Sequence, residues 1–175
     1  WPGLILGLAA FWAAGKGLAA LMKKGVFDGL FKMDLLIRSG DIKVQVEALL
    51  DTGNRLTDPL SGRPVIVVEY EAMEPLLPLE VREMYAGGGE PDVWQVLAAL
   101  GQSPLALRFG AVPFQSLGRD RGMLLGFKPD EVIILRLGRQ VPAGKVMVGI
   151  CPKKLDIRGS YRALLTPDLL DSAWL

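Results

Sequence analysis

The 175-residue chain contains no histidine, a single cysteine and a formal net charge of only +1. Without histidine it cannot build Ser-His-Asp or Cys-His catalysis, and an ordinary zinc site loses its commonest nitrogen ligand. Cys151 cannot form an internal disulfide, which fits a reducing compartment, and we interpret this thiol as a small core residue rather than a nucleophile. The sequence therefore predicts neither a metal ion nor another cofactor.

Features of phosphate and nucleic-acid binding are also missing. The glycines at 87–89 are not followed by a Lys-Ser or Lys-Thr pair, so they indicate a flexible loop rather than a phosphate cradle. From residue 93 onward there are 11 basic and 6 acidic residues, an excess that would suit an acidic partner or an anionic membrane surface. Aromatic residues are not interleaved with these basic residues, so no nucleic-acid partner is expected.

The first 22 residues carry one charge, at Lys16. As a helix, the uncharged stretch 1–15 would extend about 22 Å, and continuing it to Met22, with Lys16 snorkelling, would cross a hydrocarbon core of roughly 30 Å. We interpret residues 1–24 as the C-terminal part of a membrane-spanning helix and residues 25–30 as a linker. By the positive-inside rule, the rest of the chain lies on the cytoplasmic side of the cell membrane, because basic residues follow the apolar stretch: Lys16, Lys23, Lys24 and Lys32.

The tripeptide Asp51-Thr52-Gly53 is the candidate catalytic motif of the chain, and it occurs once. The strand before it alternates apolar and polar residues and then becomes fully apolar at 48–50, as a strand entering a core does. A carboxylate delivered there is partly desolvated, which is costly unless the group is used or paired. Gly53 would let the backbone approach a partner, and Thr52 would offer its hydroxyl across a two-fold axis. The alternative interpretation is a strand that ends in a plain surface turn with Asp51 as an exposed turn former, and these features weigh against it.

This layout favours an aspartic peptidase in which a second copy of the chain supplies the other aspartate. Two carboxyl groups about 3 Å apart cannot both ionise, so they share one proton. The ionised group acts as general base on a water molecule, while the protonated group polarises the scissile carbonyl. The sequence therefore predicts a homodimer with Asp51 as its catalytic residue.

Periodicity predicts a mainly β domain with a few helices over residues 31–175. Turn signals at Asp58-Pro59 and Ser61-Gly62 indicate a loop over 55–63, in which Asp58 is expected to serve the turn rather than catalysis. Strands are expected at 31–38, 42–50, 64–69, 105–109, 112–116, 123–127, 131–137 and 145–151. Helices are expected at 71–86 and 92–100, with short helical pieces at 161–165 and 167–170.

The segment ALLDTGNRLTDPLSGRPVIVVE resembles the active-site region of the sporulation sigma-E factor-processing peptidases of spore-forming Firmicutes. The segments VPFQSLG, LLGFKPDEV and YRALLTP resemble later blocks of the same family, so the similarity covers residues 30–170. It implies several N-terminal membrane helices followed by a cytoplasmic, retropepsin-like aspartic protease half-barrel. It also implies that the substrate is a sigma-E precursor, cut to remove its N-terminal pro-segment. Activation would come from a signalling protein acting through the membrane region.

Matched to the family motif, Asp51 takes the place of the catalytic aspartate, and Thr52 and Gly53 complete its turn. Asn54 stands where retroviral relatives usually have Ala or Ser, and the resemblance implies a hydrogen bond to the catalytic turn or to the substrate backbone. No glycine-rich flap follows Asp51 at the spacing of the viral enzymes, so the sequence does not assign the flap.

Two alternatives stay open at this point. The same fold could serve as a catalytically silent, membrane-anchored dimeric domain that holds a partner, although such a domain would not need the aspartate. Alternatively, the chain could be a soluble retropepsin-like peptidase whose apolar first segment is a core helix.

Overall fold

The computed structural model of the protein describes residues 31–87, 89–101, 103–116 and 119–170. The expected end of a membrane-spanning helix at 1–24 and the expected linker at 25–30 lie outside these ranges. Within them, no helix combines the length and the apolar character needed to cross a membrane.

The described chain is mainly β, as predicted, with a few short helices. Its strands are β1 (Lys32–Ser39), β2 (Ile42–Leu50), β3 (Val65–Glu69), β4 (Phe109–Ser116), β5 (Arg119–Phe127), β6 (Glu131–Arg136), β7 (Arg139–Pro142), β8 (Met147–Cys151) and β9 (Ala163–Leu165). Its α-helices are α1 (Tyr70–Met73), α2 (Leu79–Ala86) and α3 (Val93–Leu100), and 3₁₀ turns lie at Glu74–Leu76 and Ala106–Arg108.

These strands form one sheet in the order β4-β5-β8-β3-β9-β2-β1-β6-β7. The order is notable at β9, which lies between β2 and β3 although those two strands follow one another in the chain. β9 runs parallel to β2, with Leu165 beside Leu50, and antiparallel to β3, with Ala163 beside Val68. The connection between β2 and β3 therefore has to pass over the end of β9, and Asp51 lies in that connection.

The core divides at β3 because all five of its residues are buried. Ile66 and Val68 belong to the main core, together with the buried faces of β1, α2 and α3. Val65 and Val67, on the opposite face, pack in a smaller cluster with Val112, Leu124 and Met147. Since successive residues of a strand point to opposite faces, β3 supports helices on one side and the walls of a cavity on the other.

The expected helix over 71–86 is interrupted at two prolines. Pro75 falls in the first turn of the 3₁₀ segment, and Pro78 is the N-cap residue of α2. Because proline lacks a backbone N–H and clashes with the preceding turn, it is tolerated at the start of a helix but not in its interior. The segment therefore folds as α1, a 3₁₀ turn and α2.

Three other local expectations differ from the structure. The helical piece expected at 161–165 is wrong, because residues 163–165 form the central strand β9. The strand expected at 105–109 is wrong as well, because a 3₁₀ turn occupies 106–108 and β4 begins at Phe109. The short edge strand β7 was not expected; it follows a tight turn at Leu137-Gly138, where both residues have positive φ.

Candidate active site

Asp51 is the first residue after β2, and its backbone is fixed by the neighbouring strand. Its N–H donates to the carbonyl oxygen of Leu165 at 2.9 Å, which continues the β2–β9 ladder by one more bond. Its own carbonyl oxygen accepts from the N–H of Asn54 at 3.0 Å, which closes a tight turn over Thr52 and Gly53. The long-range bond and the local bond together determine where the carboxyl group points.

The Asp51 side chain is half-buried and lightly engaged. Its Oδ1 accepts a hydrogen bond from the N–H of Gly53 at 2.9 Å. Within the described ranges this is the only hydrogen bond of the carboxylate, which forms no ion pair there. A Cβ at position 53 would lie 3.3 Å from Oδ1, closer than side chains ordinarily approach. Glycine therefore permits this contact, and Oδ2 stays available to a ligand.

Asn54 is buried, and its side-chain amide stabilises the connection between β2 and β3. Its Nδ2 donates to the carbonyl oxygen of Val65 at 3.2 Å, and its Oδ1 accepts from the N–H of Leu56 at 3.1 Å. Both partners lie in the loop or at the start of β3, so the amide links the two ends of the β2–β3 connection. Thr52, in contrast, is exposed, and its hydroxyl has no hydrogen-bond partner among the described residues.

The Asp58 carboxylate is bonded within its own loop, as the turn signals there predict. Its side chain is buried, with 1% exposure, and Oδ2 accepts hydrogen bonds from the N–H of Ser61, at 3.2 Å, and from the Ser61 hydroxyl. The backbone of Asp58 also pairs with Arg63 and Gly62. Its oxygens are thus engaged within the loop rather than directed at the Asp51 turn.

A cavity of about 880 Å³ opens beside Asp51. Facing strands of the β4–β5 hairpin form one wall, and β3, β8, β9 and the loop after β8 contribute the others. Within the described ranges, Asp51 and Arg55 are the only charged residues in the lining, which is otherwise mostly apolar: Leu56, Val67, Pro113, Phe114, Met123, Leu124, Cys151, Leu155 and Leu164. The cavity therefore combines one carboxylate with apolar walls, which suits the side chains of an extended peptide.

Cys151 lies in this wall without the properties of a nucleophile. Burial is the largest effect on its thiol and raises the pKa above its ordinary value, so the neutral form dominates at neutral pH. Among the described residues, no three cysteine or carboxylate side chains lie close enough together to share a metal ion.

The sequence predicts the Asp51 turn but not the cavity walls. The strands of the β4–β5 hairpin were expected in part, at 112–116 and 123–127, yet nothing in their sequence located them over Asp51. The sequence does not predict the contribution of Leu164, because residues 161–165 are expected to be helical, and it assigns no element to Leu155. Pro113 and Phe114, two adjacent bulky residues within the strand expected at 112–116, are the signal that could have indicated a binding wall.

Comparison with known proteins gives a consistent picture. The chain is 27% identical to a putative sporulation sigma factor-processing peptidase of Bacillus thuringiensis over 137 residues, which covers 78% of the chain and 82% of that relative. It is 30% identical to the sporulation sigma-E factor-processing peptidase of Bacillus subtilis over 135 residues, or 75% of the chain and 42% of that relative. For the corresponding peptidase of Priestia megaterium the identity is 27% over 153 residues, or 85% and 47%.

The alignments with the two sigma-E factor-processing peptidases thus cover less than half the length of either relative. No solved structure matches the chain significantly. The family described as sporulation factor SpoIIGA, Peptidase_U4, matches residues 1–169, which is nearly the whole sequence. The sequence resemblance noted above is confirmed, and the chain belongs to the sporulation factor SpoIIGA family.

Proposed function

We propose that this chain is an aspartic endopeptidase that processes a sigma-E precursor, with Asp51 from each of two protomers forming one active site. The observation that carries the proposal is the position of Asp51. A half-buried carboxylate without an ion-pair partner in the described chain faces a large, mostly apolar cavity from a turn that the sheet holds in place. The names of the relatives, which are sigma factor-processing peptidases, supply the substrate class.

The geometry suits the chemistry of a shared carboxyl pair. The Gly53 N–H binds Oδ1, which leaves Oδ2 to accept a proton from water or to share one with the second Asp51. Two such groups about 3 Å apart bind one proton between them and titrate as a unit. The ionised oxygen activates the water, and the protonated carboxyl group polarises the scissile carbonyl, so no covalent acyl-enzyme forms.

Several features support a retropepsin-like half-site. The exposed Thr52 hydroxyl, which has no partner among the described residues, is free to hydrogen-bond across a two-fold axis. Strands β4 and β5 border the cavity with Pro113, Phe114 and Met123, and we propose that they take the place of the flap beside bound peptide. Among the described strands β4 lies at the edge of the sheet, where an extended chain can add as a further strand.

The remaining parts of the proposal concern the membrane. Residues 1–24 would end a membrane-spanning helix, residues 25–30 would link it to the protease domain at 31–175, and that domain would lie on the cytoplasmic side. A signalling protein acting through the membrane region would then control assembly of the two protomers. Confinement to a membrane raises the effective concentration of protomers, which favours the dimer.

Incubating the purified 175-residue chain with a sigma-E precursor tests the activity. The expected result is loss of the N-terminal pro-segment at one position, with Asp51→Ala inactive and equally folded by circular dichroism. Binding of the precursor without cleavage, under conditions where the chain is dimeric, would instead favour the silent binding domain.

A further inference from the structure

A buried carboxylate outside the Asp51 turn contacts both ends of one loop. Glu69, the last residue of β3, is buried, with only 5% of its side chain exposed. Its Oε1 accepts a hydrogen bond from the N–H of Leu155 at 2.7 Å, and its Oε2 accepts one from Nε of Arg162 at 3.0 Å. Leu155 and Arg162 both belong to the connection between β8 and β9, so Glu69 ties the start of this connection to its end.

The two contacts lead to different parts of the candidate active site. Leu155 is part of the cavity wall. Arg162 immediately precedes β9, whose Leu165 carbonyl accepts the hydrogen bond from the Asp51 N–H at 2.9 Å. A shift of the loop would therefore move a wall of the cavity and the strand that supports the catalytic turn at the same time.

The energetics of the Glu69–Arg162 pair favour a role in positioning the loop rather than in stabilising the whole fold. Glu69 is buried, whereas 37% of the Arg162 side chain is exposed. An ion pair with one buried partner is weak evidence for stability, because the cost of removing that charge from water offsets the attraction. Further hydrogen bonds surround the Arg162–Glu69 pair. The backbone N–H of Glu69 donates to the Arg162 carbonyl oxygen at 3.0 Å, and Nη2 of Arg162 donates to Oε2 of Glu71 at 3.4 Å. Such a network fixes one geometry where apolar packing alone would tolerate several.

We propose that Glu69 is a positioning residue. It holds Leu155 in the cavity wall and holds β9 in the place where its Leu165 carbonyl binds the Asp51 N–H, and it thereby sets the affinity of the cavity for a substrate side chain. The effect on substrates rests on the proposed function, whereas the mechanical coupling of Glu69 to Leu155 and Asp51 does not. Glu71 offers a matched control, because it pairs with the same arginine from a side chain that is 64% exposed, whereas the Leu155 N–H donates to Glu69.

Amide hydrogen exchange on the full 175-residue chain tests the coupling. We expect Glu69→Gln to speed exchange of the Leu155 and Asp51 amides at least about fivefold, because the loop opens locally more often, while the paired amides of β6 keep their rates. Glu71→Gln should leave all of them within about twofold. Equal acceleration throughout the sheet, or no change at Leu155 and Asp51, would overturn the positioning role.

Kinetics with a synthetic peptide spanning the processing site of a sigma-E precursor test the consequence. Glu69→Gln is expected to raise KM about tenfold with a smaller change in kcat, and to narrow the preference for that peptide over versions with alanine beside the cleaved bond. Arg162→Lys, which keeps the charge, should fall between the wild type and Glu69→Gln. An unchanged KM and preference would contradict the proposal. A wild-type chain that cleaves nothing would refute the proposed function, and the exchange experiment would still decide the coupling.

Discussion

The backbone N–H of Asp51 and the carbonyl oxygen of Leu165 are joined by a 2.9 Å hydrogen bond, although the two residues lie near opposite ends of the described chain. The bond extends the parallel pairing of β2 and β9 beyond Leu50. The candidate catalytic turn is therefore not a free loop after a strand, since it is attached to a strand formed late in the sequence. Changes in the segment leading to β9 should reach Asp51 through this bond.

Replacing Asp51 should separate chemistry from folding. Asp51→Asn keeps the size of the side chain and an oxygen that can accept from the Gly53 N–H, but it cannot act as a base. We expect cleavage of the precursor to fall at least about a hundredfold while the unfolding temperature stays near that of the wild type.

Asp58→Asn is the matched control for that substitution, because Asp58 directs its carboxylate into its own loop. We expect it to lower the unfolding temperature and to retain substantial activity in the folded fraction. Equal loss of activity in both variants, with both folded, would show that the loop carboxylate also takes part in catalysis.

Gly53 should matter for activity more than for stability. Its φ lies outside the left-handed region, so alanine meets no backbone strain, but the added Cβ would lie 3.3 Å from Oδ1 of Asp51. The carboxyl group would have to shift by a few tenths of an ångström, and we expect Gly53→Ala to lower kcat about tenfold. Measurement of kcat together with the unfolding temperature checks this.

Gly62→Ala provides the opposite case. Gly62 has a φ of +68° and open space around the missing Cβ, so alanine there strains the backbone without approaching Asp51. A loss of stability with normal kcat is expected. If Gly62→Ala reduced kcat as strongly as Gly53→Ala, the contact with Oδ1 would not explain the effect.

The parts of this fold that the sequence predicts are those with a local signal. Alternation located β2, and the burial of Val46 and Ala48 confirms its inward face, although Ile42 at its start is 48% exposed. Asp92 was placed at the start of α3, and it caps that helix by accepting the Trp94 N–H. Strand alternation and helix capping depend on residues that are close together in the chain, so they can be predicted from a single sequence.

The strand β9 could not be predicted in the same way. Its three residues, Ala163–Leu165, have no period to measure, and alanine and leucine favour helix when considered alone. They become a strand because β2 and β3 both offer backbone partners at that position. The cavity was missed for the same reason, since its walls come from segments far apart in sequence that only the sheet order brings together.

Low pH should weaken the hydrogen bond between Asp130, in the turn before β6, and Gly40, in the turn between β1 and β2. The pKa of Asp130 is lowered chiefly by the hydrogen bond from the Gly40 N–H, at 2.6 Å, and further by Arg108. A carboxyl group with a lowered pKa stabilises the folded state above its ordinary value, 3.8, and loses that contribution as the pH falls through the folded value. We expect Asp130→Asn to lower the unfolding temperature at pH 7 but to make little difference well below pH 3.8.

The Asp41→Asn variant controls for the change in net charge. Asp41 follows Gly40 in the turn between β1 and β2. It is exposed and has no hydrogen bond or ion pair in the described chain. Its replacement should leave the unfolding temperature unchanged at both pH values. A pH-independent loss in Asp130→Asn would indicate altered packing rather than a lost carboxylate contact.

A shared active site has a distinctive response to mixing. If each site needs Asp51 from both protomers, an equal mixture of wild type and Asp51→Ala contains only about a quarter of fully paired sites once subunits exchange. Activity per total protein should follow the square of the wild-type fraction. Activity that falls in simple proportion, under conditions where exchange is demonstrated, would mean that each chain acts alone.

The apolar segment at residues 1–22 should affect assembly rather than chemistry. A chain that starts at Lys24 retains Asp51 and every cavity residue, so its catalytic groups are complete, but it lacks the proposed membrane confinement. We expect it to be folded and mostly monomeric at low concentration, with specific activity that rises steeply with protein concentration. Fusion to a dimeric coiled coil should restore activity at low concentration, because the linker then supplies the effective concentration. Analytical ultracentrifugation beside activity measurements distinguishes the cases. A truncated chain that is already dimeric and fully active at nanomolar concentration would show that the segment does not drive assembly, and localisation near the substrate would then be its simplest role.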